Sequence, residues 1–313
     1  MHSHHSHSGQ FCKHAVGQLE EVVKRAIERG FFVYGLTEHV PRYRAQDLYP
    51  EEKDLSLEEL EDTFRGFMVE ARRLQAVYAN QIQLLVGLET EHITSSDISH
   101  LKNLVEVVGG VDYIVGSVHH VCEIPIDFDR TTFDRAASTI GGTGGVLPTD
   151  IDACHAMLCI KYLDAQHELL EQLQPTVVGH FDLCRLYRPG FALDQHPEVW
   201  RRVERNVALA ISYGALFEVN SAAFRKGWST AYPGTEVAKL IIQHGGRFVL
   251  SDDSHGPDAV GLNYTRLRGY LQTLGVRELW YLVRQVDGVV IPTKVDGIWW
   301  EHPFWSGRLP SSD

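Results

Sequence analysis

The 313-residue chain has no apolar run approaching the ~18 residues that a membrane span requires. Its N-terminus lacks the basic-then-apolar order of a secretion signal. A disulfide framework is missing too. The five cysteines are an odd number, scattered without tight pairs. The expected setting is therefore reducing and cytoplasmic. Basic charge is scarce: 29 Lys and Arg stand against 41 Asp and Glu, for a net charge of −12. That disfavours a nucleic-acid partner, because a phosphate backbone calls for basic surface. A small phosphorylated substrate stays open, since it needs only a local cation. A Gly-Gly-Thr-Gly-Gly tract at 141–145 lacks the Gly-Lys-Ser/Thr ending of a phosphate loop, and reads as part of a flexible loop. No internal repeat and no heptad is legible, and the oligomeric state is left open.

The chain is rich in histidine where it begins. MHSHHSHSGQFCKHA places five histidines in the first fourteen residues. Residues i and i+2 of a strand point to the same face, so His-x-His on a strand aims two imidazoles at one point. Two such pairs overlap here, His2 with His4 and His5 with His7. The second lies nearer the Cys12-Lys13-His14 stretch and is preferred.

Further along, short runs rich in Val, Ile, Phe and Tyr alternate with amphipathic stretches. The runs predict strands at 31–39, 81–89, 111–120, 175–182, 215–221 and 247–255, and the opening HSHHSH would make a seventh. Helices are expected over 16–29, where Val16, Leu19, Val23 and Ala26 follow helical spacing. Others are expected after a Ser56/Glu59 capping box, near 97–108, 155–173, 196–213, 233–244 and 258–274. Repeated strand–helix alternation implies parallel strands with helices outside, and seven units suggest a barrel, although a doubly wound open sheet would show the same alternation. One domain over 1–313 is expected, with an inserted loop near 127–152 over the site. A C-terminal extension near 276–313 is expected to hold strand material and a capping Trp-Trp-Glu-His-Pro-Phe-Trp segment.

Each expected strand finishes on a metal-ligand residue. The ends carry His39, Glu89, His119 beside His120, His180 with Asp182, and Asp253 with His255. In barrel enzymes the active site gathers at the C-terminal ends of the strands. Singly, each residue is more simply a structural group. These five ends and the opening His5–His7 segment, six in all bearing His, Asp or Glu, together point to a metal site. Nine ligands are counted: His5, His7, His14, His39, Glu89, His119, His180, Asp253 and His255. Nitrogen and carboxylate donors without thiolate suit zinc, manganese or iron, and nine would serve three divalent ions if Glu89 bridges two. Cys12, Cys122 and Cys184 lie beside these motifs and are read as buried spectators. His100, His155, His167, His196, His244 and His302 close no strand and are read as structural.

The ordered set His5-Ser6-His7, Phe11-Cys12-Lys13-His14, Thr37-Glu38-His39, Gly87-Leu88-Glu89, Gly116-Ser117-Val118-His119, Val178-Gly179-His180 and Ser251-Asp252-Asp253-Ser254-His255-Gly256 resembles the polymerase-and-histidinol-phosphatase (PHP) superfamily. Three features are similar to its monofunctional histidinol-phosphatase branch: Cys12-Lys13-His14-Ala15, Ser117-Val118-His119-His120, and Glu218-Val219-Asn220-Ser221 followed by Arg225-Lys226. The resemblance implies a distorted (β/α)7 barrel with a trinuclear centre. Carried over, His5, His7, Glu89 and Asp253 would hold one ion. Glu89, His119 and His180 would hold a second, and His14, His39 and His255 a third. Glu89, Asp253 and His255 are the catalytic candidates. The implied reaction is attack of a metal-bridging hydroxide on L-histidinol phosphate, a step of histidine biosynthesis. Another small phosphate ester is the alternative, with amide hydrolysis behind it. Arg185 and Arg225 match the family's phosphate-binding arginines by spacing, with a surface ion pair as the competing reading. Glu218 and Asn220 would either touch the amino alcohol or brace their strand.

Overall fold

The structure is a computed structural model describing residues 1–142 and 150–306. Seven parallel strands form one sheet in chain order: β1 (His2–Ser3), β2 (Val33–His39), β3 (Gln83–Glu89), β4 (Tyr113–Gly116), β5 (Val177–Val178), β6 (Leu216–Asn220) and β7 (Arg247–Ser251). The sheet curls until its edges nearly meet. His4 N donates to Leu250 O (3.2 Å), and beyond it Ser6–His7 pairs in parallel with Ser254–His255. The segment completing the barrel mouth therefore carries His7 and His255 itself.

Helices cover the outside: α1 (Leu19–Glu28), α2 (Leu57–Val77), α3 (Asp97–Val107), α4 (Arg130–Gly141), α5 (Ile151–Leu173), α6 (Pro197–Ser212), α7 (Ala222–Arg225), α8 (Thr235–Gln243) and α9 (Tyr264–Thr273). None of the described helices is long and apolar enough to cross a membrane. The capping box of α2 forms as expected: Ser56 Oγ accepts from Glu59 N while the Glu59 carboxylate accepts from Ser56 N (2.7 Å). Helix α1 starts later than its apolar spacing predicts. Val16 is exposed and donates its N–H to His255 O (3.0 Å), so the barrel mouth holds it out of the helix.

Strand alternation explains why one barrel end is apolar and the other chemical. Period two sends Val33, Gly35, Thr37 and His39 to one face of β2, and Leu85, Gly87 and Glu89 to one face of β3. At the bottom, Val33, Leu85, Tyr113, Val115, Val177, Leu216 and Val249 pack together with Leu282. In the middle, a Cβ on Gly35 would overlap Tyr113 Oη, and one on Gly87 would lie 2.8 Å from the Tyr113 ring. Only glycine leaves room there for Tyr113 Oη to reach His4 O (2.7 Å). At the top the same faces present His39, Glu89, Glu218 and, after β7, Asp253.

Several expected boundaries shift. The strand over 111–120 stops at Gly116, and that over 175–182 shrinks to Val177–Val178. The expected helix at 258–274 begins only at Tyr264, while α5 starts four residues early, at Ile151. Among the described residues of 127–152, most are helical rather than loop. Asp129 caps α4 by accepting from Thr132 N (2.7 Å), and Asp150 caps α5. Most of the Gly-Gly-Thr-Gly-Gly tract, 143–145, lies outside the described residues. The extension forms an antiparallel pair, Trp280–Arg284 with Val290–Lys294, and Trp299 is buried against the body. His2 and His4 belong to this lower end. Their Nε2 atoms accept from Leu250 N and Leu282 N (both 3.0 Å), which leaves His5 and His7 as the pair at the mouth.

Candidate metal centre

Glu89 closes β3 and is 1% exposed. Its Oε1 lies 3.0 Å from His180 Nε2 and 3.2 Å from His119 Nε2. Its Oε2 lies 3.2 Å from His5 Nε2, 3.3 Å from His7 Nε2 and 3.0 Å from His39 Nδ1. Asp253 Oδ1 stands 3.6 Å from His7 Nε2 and 3.8 Å from His5 Nε2. Its backbone is left-handed, with φ +47°. That conformation costs about 1 kcal/mol or more in a non-glycine residue.

The backs of the rings are held as firmly as their fronts are gathered. His5 Nδ1 meets Glu218 Oε1 (2.8 Å), His7 Nδ1 meets Glu38 Oε2 (3.2 Å), and His14 Nδ1 meets Glu51 Oε1 (3.2 Å). His119 Nδ1 meets Glu91 Oε1 (3.2 Å), and His255 Nδ1 meets the carbonyl of Asp253 (3.0 Å). A carboxylate or carbonyl behind an imidazole fixes its tautomer with Nε2 forward, the arrangement a metal-binding histidine uses.

The electrostatics follow from this crowding. Burial alone would favour neutral rings, but Glu89, Asp253 and Glu218 outweigh it at His5 and hold its pKa well above the ordinary value. Burial likewise opposes, and Glu38 and Glu89 overcome, at His7, which rises to about 9. Burial, with the neighbouring His7, depresses His39 to about 3. The Glu89 carboxyl is pushed up by burial yet held well below its usual range by His5, His119 and His39. A cation entering here would displace protons from these rings, as metal binding to imidazoles does.

The residues fit such a cation. His5 Nε2, His7 Nε2 and His39 Nε2 are buried without hydrogen-bond partners. Each unmet group ordinarily costs about 1–3 kcal/mol. Within ligand reach of one another are His5, His7 and Asp253; Glu89, His119 and His180; His7, His39 and His255; Cys12, His14 and His39; and His39, Glu91 and His119. The first group holds three of the four residues expected for one ion, and the second the three expected for another. The third expected set is looser, with ring centres of His14 and His255 each 5.2 Å apart and those of His14 and His39 also 5.2 Å, but His39 and His255 at 6.5 Å.

A cavity of about 450 Å³ opens above, lined in part by His14, His39, Glu89, His119, His180, Asp253 and His255. Arg225 and Lys226 line it too, and Arg225 Nη2 donates to Asp253 O (3.1 Å). Tyr49, Glu51, Asp127 and Phe128 complete the wall. Arg185 is a correction. It is 3% exposed and bonded to Asp182 Oδ2 (2.6 Å), to Phe191 O (3.0 Å) and to Glu236; these partners consume its donors away from the cavity. Glu218 and Asn220 are also resolved toward bracing. Glu218 Oε2 accepts from His180 N (2.7 Å), and Asn220 Nδ2 donates to Glu218 and Asp253. Cys122 is exposed rather than buried, while Cys12 and Cys184 are buried.

Sequence reasoning passed over Glu38, Glu51, Glu91, Tyr49, Asp127 and Phe128. A signal existed for Glu91: Glu89-Thr90-Glu91 shows the same i, i+2 spacing used for His5 and His7. Asp252, beside Asp253, is sorted by its partners. It accepts from Ser3 Oγ (3.0 Å) and Gly261 N (2.7 Å), outside the ligand set.

Residues 3–222 match the PHP domain family model. A Schizosaccharomyces pombe protein named "Probable histidinol-phosphatase" is 44% identical over 95% of each chain. The histidinol-phosphatase of Saccharomyces cerevisiae is 33% identical, over 87% of this chain and 88% of its own. The fold is shared with a solved Lactococcus lactis histidinol phosphate phosphatase complexed with zinc, L-histidinol and phosphate. That structure has TM-score 0.60 and 18% identity, and the match covers 89% of this chain and 95% of that one. On the matched residues and on the barrel they build, this chain belongs to the PHP domain family.

Proposed function

We propose that this chain hydrolyses L-histidinol phosphate to L-histidinol and inorganic phosphate, as a phosphoric monoester hydrolase of histidine biosynthesis. The observation that carries the reading is the gathering of the expected ligands at the barrel mouth, seven of the nine lining one cavity together with a pair of cations, Arg225 and Lys226. Three divalent ions would be held, by His5, His7, Glu89 and Asp253, by Glu89, His119 and His180, and by His14, His39 and His255. Zinc suits this donor set, as do manganese and iron. Bound there, such ions acidify water and neutralise charge developing on a phosphoryl group.

The chain's own residues supply position and discrimination. Glu38 and Glu218 keep the His7 and His5 rings turned forward. Arg225 and Lys226 set positive charge where a phosphate would lie. Across the cavity, Tyr49 and Phe128 stack at 6.2 Å between ring centres, with the carboxylates of Glu51 and Asp127 beside them. An aromatic, cationic alcohol suits that wall, and a long nucleic acid suits neither the enclosed cavity nor the net charge of −12. The five cysteines are free, in keeping with a reducing, cytoplasmic setting.

The test is phosphate release from L-histidinol phosphate, run beside sugar phosphates, nucleotides and an aryl phosphate, with metal content measured on the same sample. Strong preference for histidinol phosphate, lost on chelation, is expected. Activity confined to the other esters would overturn the substrate and keep the site.

A further inference from the structure

One buried carboxylate in the centre belongs to neither of the ligand sets built on Glu89. Glu91 lies two residues past the end of β3, and it is 5% exposed. Its Oε1 stands 3.2 Å from His119 Nδ1, 3.3 Å from His39 Nδ1 and 3.5 Å from Arg42 Nη1. Its Oε2 is 3.7 Å from His120 Nδ1. Neither oxygen has a hydrogen bond of regular geometry, so the charge is balanced by the rings and the guanidinium crowded around it. Arg42 is anchored in turn on Glu52.

The two closest rings face different ions. His119 turns Nε2 toward Glu89 and His180, at 3.2 and 3.4 Å. His39 has its Nε2 buried and without a partner, and it stands among His14, Cys12 and His255. Glu218, Glu38 and Glu51 each back one ring. Glu91 stands beside the Nδ1 of two, from two ligand sets, and at His39 it shares that atom with Glu89 Oε2 at 3.0 Å.

We propose that Glu91 is a shared positioning residue that couples two ion sites, so that the Glu89–His119–His180 set and the His14–His39–His255 set load as a pair. The inference rests on the three-ion reading above. One oxygen can accept from both Nδ1–H groups only when both rings present Nε2 forward. An ion seated on His119 therefore fixes Glu91, and a fixed Glu91 leaves His39 already oriented for the next ion. Coupling of this kind is reciprocal. Loss of such a backing group ordinarily costs about 10–100-fold in metal affinity.

The experiment is a zinc titration of the metal-stripped, full-length protein against a chromophoric chelator, with stoichiometry fixed by elemental analysis. In the native protein, one ion should bind in its own step and two in a single cooperative step. Glu91→Gln should weaken the paired ions together, by about 10–100-fold each, and leave the other within about threefold. Glu91→Asp should restore part of the loss. Glu218→Gln, which backs the His5 ring and otherwise keeps acceptors for His180 N and Asn220 Nδ2, should weaken the unpaired ion most. Three independent steps in the native protein would overturn the proposal, whatever the variants do. So would a Glu91→Gln protein with native affinities, or with one ion weakened alone. A native protein binding fewer than three ions would overturn the three-ion reading, and this inference with it.

Discussion

Replacing Glu89 with glutamine keeps the shape of the side chain and removes the charge on which the centre converges. Five imidazole nitrogens lie 3.0–3.3 Å from its two oxygens. The group is 1% exposed, so water cannot substitute for the lost charge. Removing one partner from a buried charged contact costs about 3–5 kcal/mol, equivalent to about 10²- to 10⁴-fold in affinity. Glu89 belongs to two ligand sets, so two ions should be weakened by this order. We therefore expect Glu89→Gln to lose most of two ions per chain and to drop kcat/KM by at least ~10²-fold, taking the low end of one such loss as the floor. Phosphate release and elemental analysis on the same preparation measure both, with a thermal melt to show that the barrel is folded. A folded Glu89→Gln protein with native metal content, and kcat/KM within tenfold of native, would refute the account of the centre.

Glu218→Gln should lower kcat by about 10–100-fold through a loosened His5 with KM little changed; a rise in KM alone would instead put Glu218 on the substrate. Arg185→Ala strands the fully buried Asp182 and should cost about 3–5 kcal/mol of stability, lowering Tm while leaving KM of the folded protein unchanged. Arg225→Ala should do the opposite, raising KM more than it lowers kcat if its contact with phosphate is the same in ground and transition states, and equal kinetics for native and variant would exclude it from the site. Acid should destabilise the chelated protein. Burial holds His4 down to about 3, and burial with His4 holds His2 well below 6.5, so the unfolded chain binds protons that the folded one refuses. Their contribution is complete above about pH 6.5 and is lost as the pH falls toward 3. Urea unfolding at pH 7.5, 6 and 5 should show the decline, with His4→Gln flattening it, and a flat native profile would contradict the neutral, buried assignment.

Much of this molecule is decided locally. Strand alternation has period two, which puts His5 and His7 on one side of the opening segment, whereas Asp253, in the left-handed region, reaches the same rim through the turn after β7. The apolar runs that end on His39, Glu89 and His180 likewise had to deliver those groups to one rim once the strands ran parallel. These are short-range facts, and the sequence states them. What it does not state is which distant group stands behind each ring. Glu218 reaches His5 across 213 residues and Glu38 reaches His7 across 31, and only barrel closure sets those distances. Closure also sent His2 and His4 to Leu250 and Leu282, although their spacing matches that of the working pair. It spent Arg185 on Asp182 and Glu236, although its position in sequence suits a phosphate ligand. Sequence by itself determined the alternation of parallel strands with helices, the ligand types and the strand ends that carry them, because residue identity and backbone periodicity are local. Closure into a barrel rather than an open sheet appeared only in the fold. Tertiary structure alone decided which histidines and arginines face the cavity, because burial and charge pairing depend on partners that meet only when the sheet closes.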